Sequence, residues 1–368
     1  MKIAMMTNNY LPFIGGVPIS IQRLSDGLRR EGHEVTIFAP TYKEQLHDHN
    51  IIRYHSLIKG IVNGASVPDS FDKRIEREFV KGDFDVIHVH HPMMIGWTAV
   101  YLSRKYHVPL VLTYHTRYEQ YLHYIKASCF QSAVPLYMRN YMRFCDMVFA
   151  PTPLMQEYLY QIGCEAPVHV LPTGISDDSF RADEDIASAL RLRFLGECNN
   201  NQKFLFCTVA RLAKEKNLEF LFHVLAARKE AGNESDFCLV LVGEGPEEKH
   251  FLFSSLSETQ GIVLLEAMAV GTPVLAVRAT GVSDIVVSGV NGLMTDVSET
   301  EFGEMLDQVL KGSHRQLEQG AVDTARKYQI QDIARCAADY YKAAIAAHEY
   351  TDTGITENFL LHKISGIL

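Results

Sequence analysis

The chain has 368 residues, 47% hydrophobic and 21% charged, with seven cysteines and a formal net charge of −9. At about 100–200 residues per domain this length points to two domains and excludes a single small binding module. Scattered cysteines, odd in number and without a CxxC pair, exclude a disulfide scaffold, and the acidic balance argues against a nucleic-acid binder. No apolar run reaches the ~18–20 residues of a membrane span. The run Met1–Thr7 is broken by Asn8 and Asn9, too soon for a signal peptide. A reduced, cytoplasmic chain is expected.

The net charge is unevenly spread. Residues 1–175 hold 17 Lys+Arg against 15 Asp+Glu, and the remaining 193 residues hold 18 against 29. A lobe near +2 is followed by one near −11, so the two halves face different electrostatic surroundings.

The first half alternates short apolar runs with helical stretches. Strands are predicted at Lys2–Thr7, Glu34–Ala39, Val86–His90, Leu110–Tyr114, Met147–Ala150 and Val168–Leu171. Ile19, Ile21, Leu24 and Leu28 recur near helical spacing before Gly32 ends the segment. Such alternation implies a parallel sheet covered on both faces. Pro172–Asp185 reads as a linker. A second series follows: strands at Phe204–Val209, Phe237–Val242, Phe251–Ser254 and Pro273–Val277, helices at Leu218–Ala227 and Gly261–Val270, and helical stretches from Glu299 to His348. The expected architecture is two Rossmann-like α/β domains facing a cleft, with ligands outside the carboxyl ends of the strands. One connection departs from this plan. Only GEGPEEKH separates Val242 from Phe251, where a parallel crossover usually takes a dozen residues or more. Either those two strands are not neighbours in a normal unit, or a piece of the second domain is absent there.

The block SLSETQGIVLLEAMA, residues 255–269, carries the strongest chemical signal. Seven residues separate Glu258 from Glu266, a span of ~12 Å at helical rise. That matches a diphosphate with a sugar at each end: one glutamate for each sugar's hydroxyls, and the N–H groups of Thr259, Gln260, Gly261 and Ile262 for the phosphates. Arg211 and Lys216, directly after a predicted strand, place cations where a diphosphate would sit. Gly15 and Gly16 follow the first strand and let backbone come close to a substrate or phosphate. His115 follows a strand, at the cleft edge, and can hydrogen-bond a sugar or tune a reacting group. His88, His90 and His91 form an HxHH pattern that invites a metal. No carboxylate or further histidine at ligand spacing joins them, so no metal and no cofactor are expected. Neither Gly243-Glu-Gly245 nor the Gly15–Gly16 loop completes the dinucleotide fingerprint.

Together these residues resemble the family-4 retaining glycosyltransferases of the GT-B fold. The resemblance runs from KIAMMTNNYLPFIGGVPISIQRLSDGLRREGHEV through DVIHVHHPMMIGWTAVYLSRKYHVPLVLTYHT, VLPTGI and ARLAKEKNLEFL to the Glu258/Glu266 block. It implies that Glu266 binds the nucleotide ribose, that Glu258 and His115 lie at the transferred sugar, that Arg211 and Lys216 hold the diphosphate, and that Gly16 lies near the donor phosphates. It implies a metal-independent, same-face transfer in which the nucleotide-sugar, expected to be UDP-glucose, is a substrate. The domains are then residues 1–175 for the acceptor, 176–330 for the donor, and 331–368 as a helix returning to the first domain plus a tail. TYHTRYEQYLHY with SETQG is most similar to the diacylglycerol glucosyltransferases. That implies a lipid acceptor and a peripheral position on the inner face of an anionic membrane, with Arg104, Lys105, Arg117, Lys126, Arg139 and Arg143 as the basic groups. The alternatives are a glycan or soluble acceptor, and a catalytically impaired relative. The family has about forty more residues after VGEGPEEKH, whose contacts to the nucleotide base therefore do not carry over. A sugar-nucleotide epimerase on the same fold fits the glutamate block less well.

Replacing either diphosphate cation, as Arg211→Ala or Lys216→Ala, is expected to lower turnover by orders of magnitude. Near-normal rates in both variants would sink the assignment.

Overall fold

A computed structural model of the chain describes residues 1–45, 48–58, 66–120, 132–197, 204–210, 216–230, 237–242, 259–312 and 315–350. Two compact units emerge, one of Met1–Gly174 with the chain from Ile330 onward, the other Ile175–Gln329.

The first unit is built on strands β1 (Lys2–Met6), β2 (Glu34–Pro40), β3 (Ile51–Tyr54), β4 (Ser56–Ile58), β5 (Val67–Pro68), β6 (Val86–Val89), β7 (Leu110–Thr113), β8 (Met147–Ala150) and β9 (Val168–Val170). Seven of them make one parallel sheet in the order β3-β2-β1-β6-β7-β8-β9, and β4 and β5 pair as a small antiparallel flap. Its helices are α1 (Gly16–Arg30), α2 (Lys73–Gly82), α3 (Ile95–Tyr106), α4 (Ala133–Met142) and α5 (Pro153–Gln161).

Alternation along each strand feeds two cores. Ile3 and Met5 of β1 point with Ile37, Val111 and Phe149 toward Ile21, Leu24 and Leu28 of α1. Ala4 and Met6 point with Phe38, Ile87, Leu112 and Val148 toward α2, α3, α4 and α5. A strand buried on both faces has no polar alternation left, which is why these strands stand out as unbroken apolar runs. Strand β3 is half-buried at the sheet edge and has no such run. The chain order reverses between β1 and β6, the switch point beside which α/β sheets bind ligands.

The second unit comprises α6 (Glu184–Glu197), β10 (Phe204–Val209), α7 (Leu218–Glu230), β11 (Phe237–Val242), α8 (Ile262–Ala269), β12 (Val274–Val277), β13 (Gly292–Thr295), α9 (Glu299–Lys311) and α10 (Arg315–Arg326). Among the described residues β10 pairs in parallel with β11 and β12 with β13, as two separate ladders. Leu264, Leu265 and Met268 of α8 pack with Val274, Ala276, Ala321 and Ala325, while Phe220 and Val224 of α7 pack with Phe302 and Met305 of α9. The strand expected at Phe251–Ser254 lies outside the described residues. Val209 and Val242, at the ends of β10 and β11, are 44% and 47% exposed. No strand residue of the first unit's central β1, β6, β7 and β8 is open to that degree.

The chain then re-enters the first unit as α11 (Ile330–Tyr350). Beside Ile330, a Cβ on Gly174 would come within 2.7 Å of the helix backbone. Helix α11 lies along α1, with Ala334, Ala337, Ala338 and Tyr341 in the core it shares with β1 and β8. Gly27 of α1 makes this approach possible, because a Cβ there would sit 2.8 Å from the Ala334 methyl. A mid-helix glycine costs about 0.5–1 kcal/mol of helix propensity, and here close packing offsets it. Gly27→Val is expected to destabilise the protein by about 1–3 kcal/mol through overpacking, read as a lower urea midpoint. An unchanged midpoint would show that the two helices do not interlock.

Candidate functional site

The predicted site residues fall on both units, and each group is described within its own unit. In the first, the carboxyl ends of β1, β6 and β7 gather the polar side chains. After β1, the Asn8 N–H donates to His91 Nδ1 at 3.2 Å, and the Asn8 amide donates to the Met93 carbonyl at 3.0 Å and accepts from the Ile95 N–H. One asparagine thus ties the loop after β1 to the start of α3. Gly15 caps α1 in an extended conformation, φ −179°. Neither Gly15 nor Gly16 has a positive φ, so backbone freedom does not explain the pair. A Cβ on Gly16 would meet nothing within 4 Å, so open space lies beside the start of α1, whereas one on Gly15 would meet the Phe13 ring at 3.3 Å.

His88 lies on β6 and His90, two residues on, directly follows the strand; their ring centroids are 4.1 Å apart. His88 is held at both nitrogens, by Thr113 Oγ1 and by the Tyr341 hydroxyl of α11, each at 2.6 Å. His90 Nδ1 meets His115 Nε2 at 2.9 Å, with the rings stacked. His115 follows β7 and is half-buried. Behind it Ser20, His90, Thr113 and Thr173 help to line a cavity of about 20 Å³, room for a single water. Burial holds all four histidines neutral. It pushes His88 down to about 3 and His91 to about 4, and lowers His90 and His115 well below the ordinary value, neighbouring histidines adding to the effect. Just beyond, the Glu119 carboxylate accepts from Arg117 Nε and the Tyr158 hydroxyl, both at 2.8 Å, and the Arg117 guanidinium lies over the Tyr158 ring.

In the second unit the feature is the start of α8. Gly261 caps it at φ +73°, ψ +55°, left-handed backbone that a glycine adopts without strain. Ile262 opens the helix and Glu266 follows four residues on, on the same face and half-buried, off the core face of Leu264, Leu265 and Met268. Gln260 is buried and Thr259 half-buried. Lys216 is half-buried just before α7, next to Asn217, whose φ is +50°. Arg211 and Glu258 lie outside the described residues.

Sequence reasoning did not single out Tyr341, Thr113, Thr173 or Glu119, and it weighed His88, His90 and His91 as structural residues or metal ligands, not as partners of His115. Among the described residues no three His, Cys, Asp or Glu side chains come together as metal ligands would, and no helix is long and apolar enough to cross a membrane.

Two family models match the chain: Glycosyltransferase Family 4 over residues 14–179 and Glycosyl transferases group 1 over 249–328, between them two thirds of its length. An alpha-monoglucosyldiacylglycerol synthase of Streptococcus pneumoniae is 28% identical over 319 positions, covering 75% of this chain and 71% of that protein. A GDP-mannose-dependent alpha-mannosyltransferase of Corynebacterium glutamicum is 25% identical over 83% of this chain and 79% of its own. Those 319 positions take up only 75% of 368 residues, so roughly forty of them have no counterpart here. The structure is similar to that of Anabaena HepE in complex with UDP and glucose, with a TM-score of 0.68 at 18% identity over 93% of this chain and all of that one.

The buried histidines make a pH prediction. Their folded values lie below the ordinary value of about 6.5, so between there and about 4 the unfolded chain binds more protons than the folded one. Stability is full above pH 6.5 and falls as pH falls through that window. The urea midpoint is expected to be clearly lower at pH 5 than at pH 7. Equal midpoints would mean that these rings are not neutral in the fold.

Proposed function

The chain belongs to the family-4 glycosyltransferases, its fold is GT-B, and we propose that it transfers glucose from UDP-glucose, with retention, to the hydroxyl of a membrane lipid such as diacylglycerol. The observation that carries this reading is the start of α8, where left-handed Gly261 caps the helix and Glu266 stands one turn in. A helix start of this kind offers unpaired N–H groups and a positive dipole end to a diphosphate. Glu266 then accepts hydrogen bonds from the ribose, and Glu258 from the transferred sugar. Arg211 and Lys216 neutralise the departing diphosphate. The open space beside Gly16 takes the donor phosphates, and His115 faces the sugar.

In the reaction the bond from the anomeric carbon to the phosphate oxygen breaks as the acceptor oxygen bonds the same face. The acceptor's proton passes to the leaving diphosphate. Rate then comes from stabilising the diphosphate charge and from positioning, without a metal ion.

The lipid acceptor is supported by the name of the pneumococcal relative and by the TYHTRYEQYLHY segment. The mannosyltransferase relative makes donor choice the first thing to measure. The basic residues lend the membrane less support than their number suggests. Lys105 is paired with Glu76 at 2.9 Å, and Arg143 and Arg139 with Glu165 at 2.8 and 3.7 Å. On α4, however, Leu136 is 58% exposed one turn from Arg139, a pairing of apolar and basic groups suited to a headgroup layer.

A second reading, an impaired relative, is favoured by the residues missing against the pneumococcal enzyme and by the exposed ends of β10 and β11. One assay separates the two: purified protein, UDP-glucose or GDP-mannose, and vesicles containing diacylglycerol and anionic lipid, with product identification. Glucosyl-diacylglycerol in α linkage is the expected product, and Glu266→Gln is expected to lower kcat/KM about a hundredfold through lost charged hydrogen bonds. Donor binding without transfer or hydrolysis on any acceptor would establish the impaired reading.

A further inference from the structure

His90 carries no role in the chemistry above, yet its ring is buried between two other imidazoles. It is 1% exposed, packed between His88 at 4.1 Å and His115 at 5.2 Å between centroids. His88 is in turn pinned by Thr113 and Tyr341. The result is a column of three imidazoles running from the returning helix α11 to the carboxyl edge of the sheet, with His115 at its outer end.

We propose that His90 is a positioning residue that fixes the ring plane and the tautomer of His115. The proposal rests on the reading of His115 as the side chain facing the transferred sugar. Two neutral imidazoles sharing one contact, His90 Nδ1 to His115 Nε2 at 2.9 Å, hold one hydrogen between them, and two arrangements are open. If His115 Nε2–H donates, His90 must carry its own hydrogen on Nε2. That atom is closed to water and has no hydrogen-bond partner among the described residues, so the arrangement strands a donor, a costly state in a protein interior. If His90 Nδ1–H donates, His90 Nε2 is a bare lone pair and no donor is stranded. The second arrangement is the one assigned. His115 then accepts at Nε2 and bears its hydrogen on Nδ1. Selection of one tautomer through the bond made at the other nitrogen is the general way in which a working histidine is set.

The test uses the full chain labelled with nitrogen-15, long-range proton–nitrogen correlations of the histidine rings, and steady-state transfer from UDP-glucose. His90→Phe keeps the bulk and the stack but removes both nitrogens. His90→Asn restores an N–H one bond from Cγ, where Nδ1 stands in histidine. In the unaltered protein His115 should show a protonated Nδ1 and a bare Nε2. In His90→Phe that pattern should shift toward protonated Nε2, and kcat should fall about tenfold, the lower end of what losing an orienting partner costs a site histidine, with the donor KM little changed. His90→Asn should recover both signals. An unchanged His115 pattern in His90→Phe, or an Asn variant no better than Phe, overturns the proposal. His115→Ala distinguishes the underlying reading. Full turnover in that variant removes His115 from the sugar site, while the ring-nitrogen shifts still decide whether His90 sets its tautomer.

Discussion

The bond between the Tyr341 hydroxyl and His88 Nδ1, 2.6 Å long and fully buried, joins residues 253 apart in the sequence. It sets the first unit's dependence on both ends of the chain. The sheet supplied by residues 1–174 has one face that α1 alone does not cover, and α11 completes it. Ala334, Ala337 and Ala338 bring α11 close enough for Tyr341 to reach β6, and Gly27 and Gly174 lack the side chains that would hold it off. A buried imidazole with both nitrogens satisfied by hydroxyls is a fixed object. The histidine stack is therefore aimed at the sheet edge by a helix that lies beyond the whole second unit in sequence. The cost of this design is a long loop closure before the first core is complete.

Legibility from sequence followed burial symmetry. The central strands β1, β6, β7 and β8 were readable because both faces are buried and their residues, Lys2 and His88 apart, form apolar runs. Strand β3 and the flap of β4 and β5 were not, because Ile51–Tyr54 and Ser56–Ile58 sit among polar residues and expose one side. At the candidate site, the start of α8 could be read because its geometry is local: Gly261, Ile262 and Glu266 lie within about a turn and a half of each other. The roles of His88, His90, Thr113 and Tyr341 could not be read. Their contacts arise from register between strands 25 residues apart and from a helix that returns after the second unit. The HxHH pattern carried a usable signal, since its spacing sets the His88 and His90 rings beside each other. A metal is the habitual interpretation of clustered histidines, but stacked neutral imidazoles explain them here.

The charge split likewise changes meaning once partners are visible. The near-neutral first part looked like a basic surface in waiting, but its cations are largely spent internally. Arg117 is stacked and bonded to Glu119, Lys105 is held by Glu76, and Arg139 and Arg143 share Glu165. Paired charges at the surface contribute little long-range field. Attraction to an anionic surface must then come from a few local groups together with exposed apolar side chains such as Leu136, rather than from the net charge of the lobe.

The short connection after Val242 is best judged against the molecule's own example. Strands β2 and β3 are parallel neighbours, yet only ten residues, 41–50, join them. Eight residues are thus close to a length that this chain already uses between adjacent parallel strands, and length alone does not mark a deletion. What marks it is coverage. Parallel strands carry apolar side chains on both faces because helices on both sides bury them, and β1 and β6 obey that rule apart from Lys2 at the start of β1 and the buried His88 of β6. Strands β10 and β11 have the same apolar composition but leave Val209, Leu241 and Val242 open, and the chain runs roughly forty residues short of its pneumococcal relative over the aligned stretch. A shortfall lying after Val242 would bear first on what shields the second unit's strands and only then on what connects them. Its effect is expected in the stability of that unit before it is felt at Gly261 and Glu266, whose helix is anchored separately on β12 and α10.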